Sequence, residues 1–151
     1  MRHGSRAGFT LVEIVVVLAM LAIVAAVAAP AFRRPAERGA VAAARALRGV
    51  YAEARSQSSR RGVAVVVEIR TATGEWRLGT DPDDGTAPRT LEAGVLPLPP
   101  EGRLQGGRGG TARAAFSPLG RARADRVTIT GGGVRHEVSV DGWTGAARRG
   151  G

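Results

Sequence analysis

Apolar and polar side chains are distributed very unevenly along this chain. Residues 9–32, FTLVEIVVVLAMLAIVAAVAAPAF, are almost wholly apolar, and Glu13 is the only charge among them. A helix of these 24 residues would rise about 36 Å, against a bilayer core of about 30 Å. Pro30 lies near the outer end of the run and Pro35 follows it. Each removes a backbone hydrogen bond, which predicts a kink or a local break between residues 26 and 35. From Glu37 to about Arg60 the period changes. Ala40, Ala43, Ala44, Leu47, Val50, Tyr51 and Ala54 recur at steps of three and four, the stripe of an amphipathic helix. Arg38, Arg45, Arg48, Glu53 and Arg55 fall mostly on other faces, and Arg61-Gly62 makes a suitable C-cap.

Beyond Gly62 the pattern shortens to alternating runs separated by Gly and Pro. Val63–Ile69 and Glu75–Gly79 flank the turn residues Thr71–Gly74 and predict a hairpin. Residues 80–112 are less regular. DPDDG and PLPPEG are turn-rich, GGRGG reads as flexible, and one short strand is expected near Leu91–Leu98. Ala112–Phe116, Arg126–Thr130, Val134–Val140 and Trp143–Ala146 are further strand candidates, with Gly131-Gly132-Gly133 as a hairpin loop. The last residues, AARRGG, read as a short, frayed basic tail.

The chain's 151 residues suffice for one domain but not comfortably for two. Its net charge is +9, and every basic residue apart from its two histidines is Arg, a usage explained more simply by a GC-rich genome than by function. A basic surface favours anionic partners, yet these arginines are spread along the chain, and aromatic residues make up only 4% of it. Stacking on nucleic-acid bases therefore has little support. There is no cysteine, which excludes disulfides, thiolate metal sites and a Cys nucleophile.

Four readings compete for the apolar segment. A buried core helix needs surrounding elements, and the rest of the chain is too polar to provide them. A secretory signal peptide has an n-region in Arg2 and Arg6 and a cleavage site at Ala26-Val27-Ala28. It has no use for Glu13, a charge costing about 2.5–3.5 kcal/mol near a bilayer centre. For a generic transmembrane anchor, Arg33, Arg34 and Arg38 outnumber Arg2 and Arg6, so the positive-inside rule alone favours the opposite orientation.

The fourth reading accounts for all of these features. Gly8-Phe9-Thr10-Leu11-Val12-Glu13, preceded by the basic MRHGSRA and followed by the apolar run, resembles the signal of prepilins and pseudopilins of the type IV pilin-like family. The resemblance covers roughly residues 4–32. It implies that a membrane peptidase cuts between Gly8 and Phe9 on the cytoplasmic side and that Phe9 becomes the N-methylated terminus. Glu13 would then stand fifth in the mature chain. It also implies a role in assembly for Glu13, whose carboxylate pairs with the α-amine of Phe9 in its own or a neighbouring subunit. The alternative is that Glu13 merely snorkels to the headgroups. Removal of Arg2 and Arg6 would lower the charge from +9 to +7. Pro30 fits the same family, in which a proline near this place bends the helix.

A second, looser similarity covers residues 116–146. Phe116-Ser117-Pro118-Leu119-Gly120 and Val138-Ser139-Val140-Asp141-Gly142-Trp143-Thr144-Gly145 are similar to the C-terminal half of type II secretion system protein H pseudopilins and the related T-type minor fimbrial pilins. Together the two similarities imply an α+β, pilin-like fold. Residues 1–8 form a cleaved leader, 9–32 a transmembrane and assembly helix, and 33–61 an amphipathic helix continuing into the periplasm. Residues 62–151 form an antiparallel β-domain with a flexible basic tail. The implied protein is a minor pseudopilin, a structural subunit of the periplasmic pseudopilus of a type II secretion system that helps export folded proteins. Its alternative is a minor type IV pilin in pilus assembly or DNA uptake. A secreted β-protein with a cleaved signal peptide is the third class. The implied location is the bacterial inner membrane, crossed once, with the N-terminus cytoplasmic before assembly. Expected partners are other pseudopilins in a tip or rod, prepilin peptidase and inner-membrane lipid; nucleic acid is not.

No enzymatic chemistry is expected. Ser139, His136 and Asp141 lie close in sequence, but on a strand His136 faces away from the other two, so no Ser–His pair forms. Asp81, Asp83 and Asp84 lack the downstream Glu of a calcium loop, and a Pro intervenes. Gly106–Gly110 has no Gly-Lys-Ser/Thr after it and is not a P-loop. His3 would leave with the leader. No catalytic residue, metal or cofactor is expected. Arg148 and Arg149 are the candidate contacts for DNA phosphates, with a solubilising tail as the alternative.

Overall fold

The structure is a computed structural model and describes residues 11–81 and 89–150. Among the described residues one helix, α1, runs over Leu11–Arg61, and nine strands follow it. The chain divides into two compact units, residues 1–34 and 35–151, each taken by itself below. The helix is continuous through Pro30 and Pro35, so the local break expected there does not occur. A proline deletes one N–H, while the hydrogen bonds on either side of it can carry a long helix onward.

In the second unit the helix buries one stripe. Ala36, Ala40, Ala43, Ala44, Leu47, Tyr51, Ala54 and Ser58 are all buried, and Val50 is half-buried. The spacing of three and four that marked the helix in sequence is thus the spacing of its buried face. Most of these residues are Ala, which lets the backbone approach the strands closely. A Cβ on Gly39 would come within 2.8 Å of Pro99 Cβ, and one on Gly131 within 3.0 Å of the Ala36 carbonyl oxygen. The helix ends where Gly62 N–H donates to the Ser58 carbonyl at 3.0 Å. The Ser58 hydroxyl lies 2.8 Å from the Val63 oxygen and 2.9 Å from the Phe116 oxygen, tying the helix terminus to the segment before the first strand and to the end of another.

The strands are β1 (Val65–Arg70), β2 (Glu75–Thr80), β3 (Thr90–Val95), β4 (Arg103–Gly106), β5 (Thr111–Phe116), β6 (Ala122–Ala124), β7 (Val127–Gly131), β8 (Val134–Val140) and β9 (Ala147–Gly150). They form two antiparallel sheets, ordered β3-β2-β1-β5-β6 and β4-β7-β8-β9. The architecture is therefore α+β. Strand β1 is central in the larger sheet, and Val65, Val67 and Ile69 are wholly buried, as its β-branched composition suggests. They join Leu47, Tyr51, Leu78, Phe116, Val127, Ile129 and Val138 in one core. The Tyr51 and Phe116 rings sit 5.8 Å apart at an angle of 51°. Burial pushes the Tyr51 phenol pKa well above its ordinary value, and the Asp125 charge adds to this.

Several local expectations change. GGRGG is a tight reversal between β4 and β5, not a flexible spacer: Gly107, Gly109 and Gly110 have φ of 68°, 59° and 80°, and Arg108 bridges Thr111. Gly131 belongs to β7, and only Gly132 (φ 62°) and Gly133 (φ 83°) form the turn, the two left-handed residues that a twisted two-residue hairpin requires. Trp143–Ala146 is a turn, and the residues after it, expected to fray, form β9 against β8. Strands β4 and β6 span four and three residues, too few for alternation to be recognised in the sequence.

Candidate functional site

The apolar half of α1 carries the first candidate site. Leu11–Ala28 has a mean hydropathy of 2.9, and none of it is buried within the chain. Its large side chains are all exposed, from Leu11 at 79% to Val27 at 75%. The reading of this segment as a core helix is thereby excluded. Covering about a dozen such side chains is worth on the order of 20 kcal/mol, so the segment fits an apolar environment such as hydrocarbon or neighbouring helices. Glu13 lies in the first turn of the described helix, at the edge of this surface, and is exposed. Pro30 lies within the same helix. Gly8 and Phe9, the predicted processing junction, lie outside the described residues.

The remaining candidates sit on the sheets. Arg148 and Arg149 belong to β9, opposite Ser139 and Val138. The Arg148 guanidinium reaches the Asp141 carboxylate at 2.9 Å, so it is not a loose basic tail. Asp141 also organises the turn before β9, accepting from Trp143 N–H at 3.1 Å, Thr144 N–H at 2.9 Å and the Thr144 hydroxyl at 3.0 Å. The backbone N–H of Thr144 is the main cause holding the Asp141 pKa below its ordinary value, helped by the Thr144 hydroxyl, the Trp143 N–H and Arg148. A carboxylate depressed in this way stabilises the fold above the ordinary carboxylate range and loses that contribution as pH falls through its folded pKa. Asp141→Ala is therefore expected to raise hydrogen exchange across residues 141–150 at neutral pH. The difference from wild type should shrink in acid, and a difference that is independent of pH would contradict it.

The hydrolase-like trio does not assemble. His136 is buried on β8 with its Nε2 unpartnered among the described residues, and it lines a cavity of about 20 Å³ with Val41, Ala44, Arg48 and Val138. Ser139 lies on the opposite side of the strand by alternation, and Asp141 is engaged in its turn. Asp81 pairs with Arg113 at 3.1 Å, whereas Asp83 and Asp84 lie outside the described residues. Among the described residues no three His, Cys, Asp or Glu side chains gather as a metal site would require.

One arrangement was not foreseen in the sequence. Glu68 on β1 stands between Arg77 on β2 and Arg113 on β5, its registered partners. Arg113 lies 3.7 Å from Glu68, and these side chains border an open cleft of about 240 Å³ with Asp81 and Arg89. Single alternating charges predict a solvated face, but only strand pairing places three of them side by side. At about half exposed, such pairs contribute little to stability.

A family profile described as "Type II transport protein GspH" matches residues 43–144. A second, "Prokaryotic N-terminal methylation motif", matches residues 4–29. No curated protein sequence matches the chain. Two solved structures do, both crystal forms of the type IV minor pilin FimU of Pseudomonas aeruginosa. In space group P21 the TM-score is 0.57 at 13% identity, over 72% of this chain and 86% of that one. In P65 it is 0.54 at 13% identity, over 72% and 90%. At this identity the likeness establishes the fold alone.

Proposed function

Since the chain belongs to the GspH family of type II transport proteins and begins with a prokaryotic N-terminal methylation motif, we propose that it is a minor pseudopilin of a type II secretion system. It would be a structural subunit of the periplasmic pseudopilus and not an enzyme. The observation that supports this most is the helix segment Leu11–Ala28, apolar and wholly exposed, leading by an unbroken helix into a small β-domain. Such a segment is equally satisfied by lipid and by other apolar helices. In hydrocarbon, helix association gains no hydrophobic term and rests on packing and polar contacts. A subunit can then pass from bilayer to filament without a large free-energy change, provided that something fixes its register. We assign that role to Glu13, paired with the α-amine of Phe9 in a neighbouring subunit. Pro30 would bend the helix between its membrane and periplasmic halves. Prepilin peptidase and inner-membrane lipid are the further partners in this reading, with the β-domain in the periplasm and the leader in the cytoplasm.

Intact-mass analysis of protein from its native membrane tests the processing step. The mature chain is expected to start at N-methylated Phe9. A start at Ala29 would replace this reading with that of a secreted protein released from a signal peptide. The second reading, a minor type IV pilin, draws on the fold shared with FimU. Its DNA-binding form is weakened because Arg148 is held by Asp141.

A further inference from the structure

Two turns at the helix's C-terminal end carry the most exposed large apolar side chains of the β-domain. Leu119, in the β5–β6 turn, is 90% exposed, and Trp143, in the β8–β9 turn, is 80% exposed. The turns are joined: Ala122 N–H donates to the Gly142 oxygen at 3.0 Å. The Arg121 guanidinium lies 5.6 Å from the Trp143 ring centroid, close enough for a cation–π contact. Arg55 of α1 stands beside Gly145. Neither Arg55 nor Arg121 forms an ion pair among the described residues.

Trp143 is exposed, and the backbone of its turn is well anchored. Asp141 accepts the hydrogen bonds of Trp143 and Thr144, and Gly145 N–H closes the turn on the Asp141 oxygen at 2.8 Å. The facing turn is closed by Ser117 N–H on the Arg121 oxygen at 2.8 Å and Gly120 N–H on the Ser117 oxygen at 3.0 Å. Core packing does not require an exposed Trp, and a solvated turn gains nothing from a Leu beside it. Tryptophan and arginine are side chains that dominate protein interfaces, and turns whose backbones are already fixed lose little backbone entropy on binding.

We infer that Leu119, Arg121 and Trp143 form a docking knob for a protein chain other than a copy of this one, whose surface offers an apolar pocket rimmed by carboxylates. Charge selects this occupant. A second copy would bring arginines against arginines on a chain still at +7 after loss of Arg2 and Arg6, and like charges across an interface are repulsive. The inference rests on the assembly reading and names the contact by which the β-domain would meet its neighbour.

The chain contains no cysteine, so L119C and W143C each introduce a single thiol. These variants, labelled in intact cells with a thiol-directed photo-cross-linker, are expected to yield one adduct with a second pilin-like chain. The linked peptide should carry acidic residues. V95C, 65% exposed on the edge strand β3, should yield none, and R121E should reduce the adduct at least ten-fold. Adducts with a second copy or with lipid, equal labelling from V95C, or no adduct would each overturn the knob. Co-purification separates the two levels. If the wild type brings down no pilin-like subunit, the assembly reading fails and the knob with it. If it does and W143A, with an unchanged melting temperature, brings down as much, the knob alone fails.

Discussion

If Glu13 sets helix register as proposed, Glu13→Leu is expected to leave the protein cleaved and inserted in the membrane at normal levels, with failed co-assembly and reduced secretion. The substitution removes a charge costing roughly 2.5–3.5 kcal/mol near the bilayer centre, and less near its edge, so insertion should become easier. What is lost is the only charged group in an otherwise apolar run, and with it the single feature that can define the axial register of one helix against another. Apolar packing between such helices is permissive, since Val, Leu and Ala recur throughout residues 11–28, and many offsets would pack about equally well. The neighbour's α-amine would also be left in hydrocarbon without its carboxylate. Methylation does not alter this, because a secondary amine remains protonated. Membrane fractionation and co-purification measure the two halves of the prediction separately. Wild-type assembly of the mutant would mean that Glu13 only snorkels to the headgroups.

Leu47→Ala is expected to cost about 2–5 kcal/mol of the β-domain's stability. Leu47 is wholly buried, among Tyr51, Phe116 and the strand residues of the core. The buried positions one turn earlier on the helix, Ala43 and Ala44, are alanines, too small to fill the void. Val41→Ala is the matched control. It lies on the same helix but is 37% exposed, and its loss should be much smaller. Denaturant unfolding of the two variants measures the difference. A loss below half a kcal/mol for Leu47 would mean that the helix is not held against the strands by this face.

How far the fold was legible depends on how far apart in sequence the interacting residues lie. The helix stripe was readable because a helix's periodicity is a local property: Ala40, Ala44, Leu47 and Tyr51 share a face whatever they pack against. Strand β1 and the hairpin to β2 were readable for the same reason, through β-branched composition and an adjacent turn. The failures are non-local. Nothing within AARRGG signals a strand; β9 exists because Asp141 folds the turn back and β8 offers a free edge. Strand β4 pairs with β7, more than twenty residues away, and four residues carry too little alternation to announce that partner.

The same division separates the parts of the candidate site. Its apolar helix, with Glu13 near one end and Pro30 near the other, is a matter of composition and spacing, and the sequence by itself determined it together with the α+β class. The division of the strands into two sheets, the placing of Glu68 between two arginines, and the meeting of Leu119 and Trp143 on neighbouring turns were decided only by tertiary structure. Each brings together residues from elements that have no fixed relation until the chain packs. Local periodicity can state which side chains share a face, but which faces meet is settled by the core.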